Sequence, residues 1–237
     1  MTVSDLRFVG DLSRTDAHLL ARYASTAGVI LEFGVGGSTQ IFAQALSENG
    51  RVLAIDTDIE WIKTTRARLR RLGVPIAKRV TFLIADESAS AIRVGEVLDD
   101  DDDALALALA DADPLDVFSA DGVDLIFIDG IDHLRRGFAL DAWNGLKDGG
   151  VMIFHDTRRP SDQANVLAVV AARYNEIRSV TLNEAIDGES SNISVITKKT
   201  SEPYVNWNLA EERPPWRIGY GEPPESFWPA TEDQDPP

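Results

Sequence analysis

Short apolar runs alternate with amphipathic stretches along most of this chain, and the alternation is its main structural signal. Val29-Ile30-Leu31-Glu32-Phe33 has strand character and breaks into glycines at Gly34, Gly36 and Gly37. A helix is expected from Ser38, with Ile41, Phe42, Ala45 and Leu46 as its apolar stripe and the serine as its N-cap. Residues 51–56 read as a second strand, 59–72 as a helix, and 80–85 as a third strand closing at Asp86. The near-continuous apolar run 123–128 predicts a strand buried on both faces. A helix is expected over 134–146, stopped by Lys147-Asp148-Gly149-Gly150, then a fifth strand over 151–154. Residues 163–174 read as another helix, and 179–182 with 193–197 as a closing pair of strands. This order predicts an α/β fold, a doubly wound and mainly parallel sheet covered by helices on both faces.

In such sheets ligands bind beyond the carboxyl ends of the strands. Glu32, Asp56, Asp86, Asp129 and the pair His155-Asp156 each close a predicted strand. Aspartate is common in turns, but acids at five separate strand ends exceed what turn chemistry requires. The glycines after Glu32 let backbone N–H groups and a helix N-terminus approach a ligand closely. Two nucleotide readings compete. A dinucleotide fingerprint needs Gly-x-Gly-x-x-Gly, and Thr39 stands where its third glycine belongs.

The segment instead resembles the first motif of class I S-adenosylmethionine-dependent methyltransferases, acid-x-Gly-x-Gly-x-Gly, matched by Glu32, Gly34 and Gly36, with Ser38 in place of the last glycine. Asp129-Gly130-Ile131-Asp132-His133, then Asp141, Trp143, Gly149-Gly150 and His155-Asp156, resembles a subgroup of small-molecule O-methyltransferases. That subgroup shows Asp-Gly-x-His, an aspartate eight residues on, and an acid pair after the fifth strand. One extra residue precedes His133, and His155 replaces an acid. The resemblance covers roughly residues 13–198 and implies a seven-stranded Rossmann-like sheet whose last strand is antiparallel. It implies that Glu32, Gly34, Gly36 and Ser38 hold the amino-acid part of S-adenosylmethionine, Asp56 its ribose, and Asp86 its adenine. Trp61 is a candidate for the adenine face. Asp129 and Asp156 would supply two hard oxygen ligands to a magnesium ion in members that use one. His133, with Asp129 beside it, would take a proton from a substrate hydroxyl. Arg158 and Arg159 are read as solvated, with an anionic substrate as the rarer alternative.

Composition adds boundaries. The chain has 237 residues and a net charge of −16, enough for one α/β domain over 1–200 and an acidic Pro/Trp-rich tail over 201–237. Residues 86–124 hold 13 acids against Arg93, and the tail holds eight against two arginines. The acidity thus belongs to an insertion near 95–120 and to the tail. Within the insertion, Asp99 to Asp103 precede an Ala/Leu stretch read as a helix. The tail carries eight of 11 prolines and Trp207, Trp216 and Trp228, which suits a wrap over the domain, a homo-oligomer contact or an end without fixed structure, and the sequence does not decide between these. The basic residues Lys63, Arg66, Arg68, Arg70 and Arg71 lie along one helix without interleaved aromatics, so no nucleic-acid partner is expected. No apolar window of about twenty residues and no leader-like start point to a membrane, and a soluble cytoplasmic protein is expected. There is no cysteine for disulfides or thiolate metal sites.

Together these features predict methyl transfer from S-adenosylmethionine to a hydroxyl of a small molecule. Two alternatives stay open. One is a methyltransferase acting on nitrogen or a macromolecule, although no Asn/Asp-Pro-Pro-Tyr-like sequence follows the fourth strand. The other is a non-catalytic binding or assembly subunit built on the same cofactor fold.

Overall fold

The computed structural model describes residues 5–86, 93–97, 107–109, 122–130 and 132–200. Five parallel strands form the centre of the sheet: β1 (Val29–Phe33), β2 (Arg51–Asp56), β3 (Val80–Asp86), β6 (Val123–Ile128) and β7 (Leu146–Phe154). Beyond β7 lie β11 (Ser194–Lys198), antiparallel to both its neighbours, and then β8 (Ile177–Thr181). The resulting order β3-β2-β1-β6-β7-β11-β8 is the expected seven-stranded, mainly parallel sheet. Two short antiparallel strands, β4 (Arg93–Val97) and β5 (Leu107–Leu109), extend it past β3. The composition of the insertion predicts a helix for its Ala/Leu stretch, and Leu107–Leu109 is a strand instead. Its strict two-residue alternation is the period of a strand, not of a helix. The rest of the acidic insertion and the tail 201–237 lie outside the described residues.

Alternation along the strands sends side chains to two helical layers. Ile30, Val52, Ala54, Leu125 and Phe127 pack with α1 (Arg14–Ala24), α2 (Gly37–Ala45) and α3 (Ile59–Arg71) through Leu19, Leu20, Ile41, Phe42, Ile62 and Leu69. Leu31, Phe33, Ile126, Ile128, Met152 and Phe154 pack with α5 (Asp132–Ala142) and α6 (Pro160–Arg173) through Phe138, Ala139, Val166 and Val169. Phe33 stacks on Phe138 with ring centroids 4.4 Å apart, and Phe42 meets Phe127 edge-on at 5.4 Å. These contacts fix the strand ends that carry the acids. A short helix α4 (Ile76–Arg79) and a hairpin of β9 (Ala185–Ile186) and β10 (Glu189–Ser190) complete the described elements. No described helix is long and apolar enough to cross a membrane.

Two boundaries differ from the pattern-based expectation. Helix α5 ends at Ala142, a 3-10 turn follows over Trp143–Gly145, and Leu146 already pairs with Val123. Lys147-Asp148-Gly149-Gly150 is therefore not a helix stop. It is the irregular start of β7, where the register shifts before Leu125 pairs with Val151 and Gly149 adopts φ +77°. Ser38 is likewise not an N-cap. Gly36 takes that place, and the serine is the second residue of α2.

Candidate active site

The strand ends open into a cavity of about 600 Å³. Its floor is the turn from β1 to α2, with Gly34 to Ser38 on the lining, Asp56 and Trp61 to one side, and Asp129, Gly130, His155 and Asp156 to the other. Backbone bonds clamp this edge together. Gly34 N donates to Ile55 O at 2.8 Å, Asp129 N to Phe33 O at 2.7 Å, and His155 N to Ile128 O at 3.2 Å.

Gly34 is glycine for two reasons. Its φ is +101°, and a Cβ there would lie 2.5–2.6 Å from the backbone of Asp129 and Gly130. The close approach is thus to the loop after β6. At Gly36 a Cβ would find only Trp61 Nε1 at 3.6 Å, so here the missing side chain leaves room for a ligand. Trp61 donates through Nε1 to Val35 O, and the guanidinium of Arg68 lies 5.2 Å from the indole. These contacts hold the ring at the cavity wall.

Glu32 is fully buried and does not itself line the cavity. Ser38, a residue of the lining, donates through Oγ to Glu32 Oε1, while Glu32 Oε2 has no hydrogen-bond partner. Burial pushes the acid up to about 8, against the Ser38 and Thr39 contacts that lower it. Asp56 accepts Val35 N at 2.8 Å on Oδ2, and Thr57 N at 2.7 Å and Asp58 N at 3.0 Å on Oδ1. Its pKa is raised by burial, which outweighs those N–H donors. Asp86 closes β3, and its side chain lies outside the described residues.

The other side of the cavity is a network of charges. His155 Nδ1 lies 3.1 Å from Asp129 Oδ1 and 3.5 Å from Asp156 Oδ1, and its Nε2 lies 3.7 Å from Asp16 Oδ2. Burial alone would lower the histidine, but the carboxylates of Asp129, Asp16 and Asp156 raise it to about 10. Asp16 would be raised by burial. His155, the Ser13 hydroxyl and the Asn192 N–H hold it down at about 2. Arg135, side chain 7% exposed, donates to Gly130 O at 2.6 Å and to Asp162 Oδ1 at 2.5 Å, and reaches Asp129 Oδ1 at 3.3 Å. Asp156 has φ +59°, a left-handed conformation that Asp tolerates better than most residues. Its carboxylate accepts from Asn192 Nδ2 at 3.0 Å and from Arg159. One atom from each of Asp129, His155 and Asp156 can be chosen so that all three lie within 4.8 Å of one another.

Sequence reasoning places Glu32, Gly34, Gly36, Ser38, Asp56, Asp129 and Asp156 around one edge; the structure puts all of them but Glu32 on the cavity lining, and Glu32 is buried against Ser38. His133 is exposed at the start of α5 and is not part of the cavity lining. Arg158 donates to Ser190 O at 2.6 Å, away from that lining, whereas Arg159 belongs to it. Asp141 is exposed, and Trp143 is buried and donates to Glu176 at 2.7 Å. The residues that pattern reading misses are Arg135, Asp16 and the wall formed by Gly10, Asp11 and Leu12. Gln40 ties that wall down, accepting Val9 N at 3.1 Å and donating to Val9 O and Gly36 O, each at 3.0 Å. No sequence signal marks a buried glutamine for such a task.

The doubly wound sheet, the glycine turn after β1 and the acids at the ends of β1, β2 and β6 are the features of the class I methyltransferases that the sequence resembles. The profile of a family described as "Methyltransferase domain" matches residues 31–157, more than half of the chain, and the chain belongs to that family. No curated protein matches its sequence. Solved structures share the fold. A Streptomyces achromogenes O-methyltransferase, TomG, in complex with S-adenosylmethionine is 16% identical, with TM-score 0.56 over 81% of this chain and 82% of its own. A Bacillus cereus O-methyltransferase in complex with S-adenosylhomocysteine is 18% identical, with TM-score 0.56 over 82% and 86%. A Geobacter sulfurreducens methyltransferase is 17% identical, with TM-score 0.52 over 80% of each chain.

Proposed function

We propose that this protein transfers a methyl group from S-adenosylmethionine to a hydroxyl of a small molecule, with neither nucleic acid nor a membrane as partner. The observation that carries the reading is the single cavity edge joining the glycine turn, Asp56 and the Asp129 carboxylate. The residues present fit the cofactor. Gly36 leaves the space a side chain would fill, and Ser38 lines the cavity with its hydroxyl donated to Glu32, whose other oxygen is orphaned. Ser38 and Glu32 would hold the amino-acid part, Asp56 the ribose hydroxyls, Trp61 the adenine face, and Asp86 the adenine by family resemblance. When bound, the cofactor supplies a methyl group on a good leaving group, so the protein's task is positioning and proton removal.

Asp129 is the group placed for proton removal. Its Oδ1 is held by His155 and Arg135, while Oδ2 accepts no hydrogen bond from the described residues and is available to a substrate hydroxyl. His155 keeps the carboxylate in position, and Asp16 supports the histidine from behind. His133, which family resemblance puts in the base role, lies outside the lining, so this reading gives the role to Asp129. The N-methylating and non-catalytic alternatives gain no support from any described side chain.

Mass spectrometry of material released from the purified, denatured protein tests the first half. S-adenosylmethionine or S-adenosylhomocysteine is expected, or binding of added cofactor by calorimetry. The second half is tested with labelled methyl donor and a panel of phenols and sugars. A chain that binds neither form of the cofactor is not a methyltransferase of this type.

A further inference from the structure

Divalent ions need carboxylate oxygens that are free to turn toward them, and magnesium asks for near-octahedral oxygen ligation. At this cavity edge every carboxylate oxygen of Asp129 and Asp156 except Asp129 Oδ2 is already engaged by a cationic or amide donor. Asp129 Oδ1 faces His155 Nδ1 at 3.1 Å and Arg135 Nη2 at 3.3 Å. Asp156 Oδ2 pairs with Arg159 and lies 3.8 Å from Arg135 Nη2, and Asp156 Oδ1 accepts from Asn192 at 3.0 Å. Arg135 cannot swing aside easily, because Gly130 O and the buried Asp162 hold it from the other end. An ion bound between the two acids would sit against a guanidinium of like charge. The histidine is no better as a ligand, since its Nδ1 is directed at the same two carboxylates, and its Nε2, without a hydrogen-bond partner, is buried 3.7 Å from Asp16 Oδ2.

We infer that the Asp129–Asp156 edge takes no divalent ion, and that the guanidiniums of Arg135 and Arg159 supply the positive charge an ion would bring to the substrate side of this cavity. The donor set therefore does not fit the magnesium that family resemblance leaves open. Arg135 and Arg159 are positioning residues in this arrangement. They neutralise the acid pair and leave Asp129 Oδ2 without a hydrogen-bond donor among the described residues.

The inference rests on the proposed methyl-transfer role only in its use of S-adenosylhomocysteine to fill the cofactor half. The experiment titrates Mn²⁺ alone into the full chain saturated with S-adenosylhomocysteine and follows the electron paramagnetic resonance signal of the free ion. Wild type, Asp156→Asn and Asp129→Asn are compared, each checked for native circular dichroism. The wild type is expected to show no ion held more tightly than about 1 mM, the weak end of carboxylate-built cation sites. Binding that is tighter but equal in all three proteins places the ion elsewhere, such as the Asp99 to Asp103 run, and leaves the inference standing. One ion per chain whose affinity falls about tenfold or more in either variant overturns it. A companion Arg159→Met variant is expected to gain Mn²⁺ affinity, because it frees Asp156 Oδ2. Calorimetry with S-adenosylhomocysteine on the same samples separates the two claims, since failure to bind it defeats the methyl-transfer reading whatever manganese does.

Discussion

Glu32→Gln is the most informative single substitution, because it replaces a buried neutral acid by a neutral amide of the same shape. With no cofactor bound, burial raises Glu32 from 4.5 to about 8, so the folded chain keeps this proton across neutral pH. The unfolded chain releases it above about 4.5. The sign follows directly: the folded state binds more protons, so stability falls as pH rises through that window. Each pH unit between the two values costs about 1.4 kcal/mol. Between about pH 5.5 and 7.5 the wild type should therefore lose about 3 kcal/mol through this group alone. The amide of the variant does not titrate, so the difference between the two proteins isolates the effect from His155 and the other carboxylates. Urea unfolding followed by circular dichroism at several pH values, without cofactor, reads it. With an m-value near the upper end of about 1–3 kcal/mol/M, the midpoint difference should shift by roughly 1 M across the window in favour of the variant. A difference that stays flat with pH would refute the argument, and would mean that Glu32 is ionised and has a cationic partner.

Two further substitutions separate the parts of the edge. Gly34→Ala should destabilise the fold by more than about 2 kcal/mol, since strain at positive φ adds to a clash with the Asp129 backbone; thermal unfolding checks it, and a stable variant would remove the steric argument. Asp56→Ala should weaken cofactor binding at least about tenfold, since hydrogen bonds to a charged group are worth about 1.5–3 kcal/mol each; unchanged affinity by calorimetry would detach this strand end from the ribose.

The frame of the molecule is legible because period and length are local properties of the sequence. The strands at Val29–Phe33, Arg51–Asp56 and Val123–Ile128 are apolar runs of strand length, and helix Ile59–Arg71 lies within one residue of its predicted end. The end of α5 misleads because Trp143 and Leu146 continue a helical spacing, although the 3-10 turn and the sheet register claim them. Strand ends are legible too, which is why Glu32, Asp56, Asp129 and Asp156 can be named from the sequence. What the sequence does not carry is which side chains meet across the cavity. Arg135 sits two residues after His133 and looks no different from Arg136 beside it, yet Arg135 turns inward and His133 outward. Asp16 lies far from His155 in sequence and reaches it only because α1 packs along the sheet. Proximity along a chain leaves a trace in the pattern, and proximity through the fold does not.

The strap of Gly10, Asp11 and Leu12, tied across α2 by Gln40, lies outside the span shared with the family. So do Asp16, Arg159 and Asn192, whereas the glycine turn, Asp56 and Asp129 lie within it. The cavity is thus lined from both inside and outside the span 31–157. The strap meets the glycine turn itself: a Cβ on Gly10 would lie 3.1 Å from Gly37 Cα, and Gln40 donates to both Val9 O and Gly36 O. A displacement of residues 9–12 would therefore be felt directly at the backbone of the glycine turn, so this stretch, far from the turn in pattern, is part of what holds its shape.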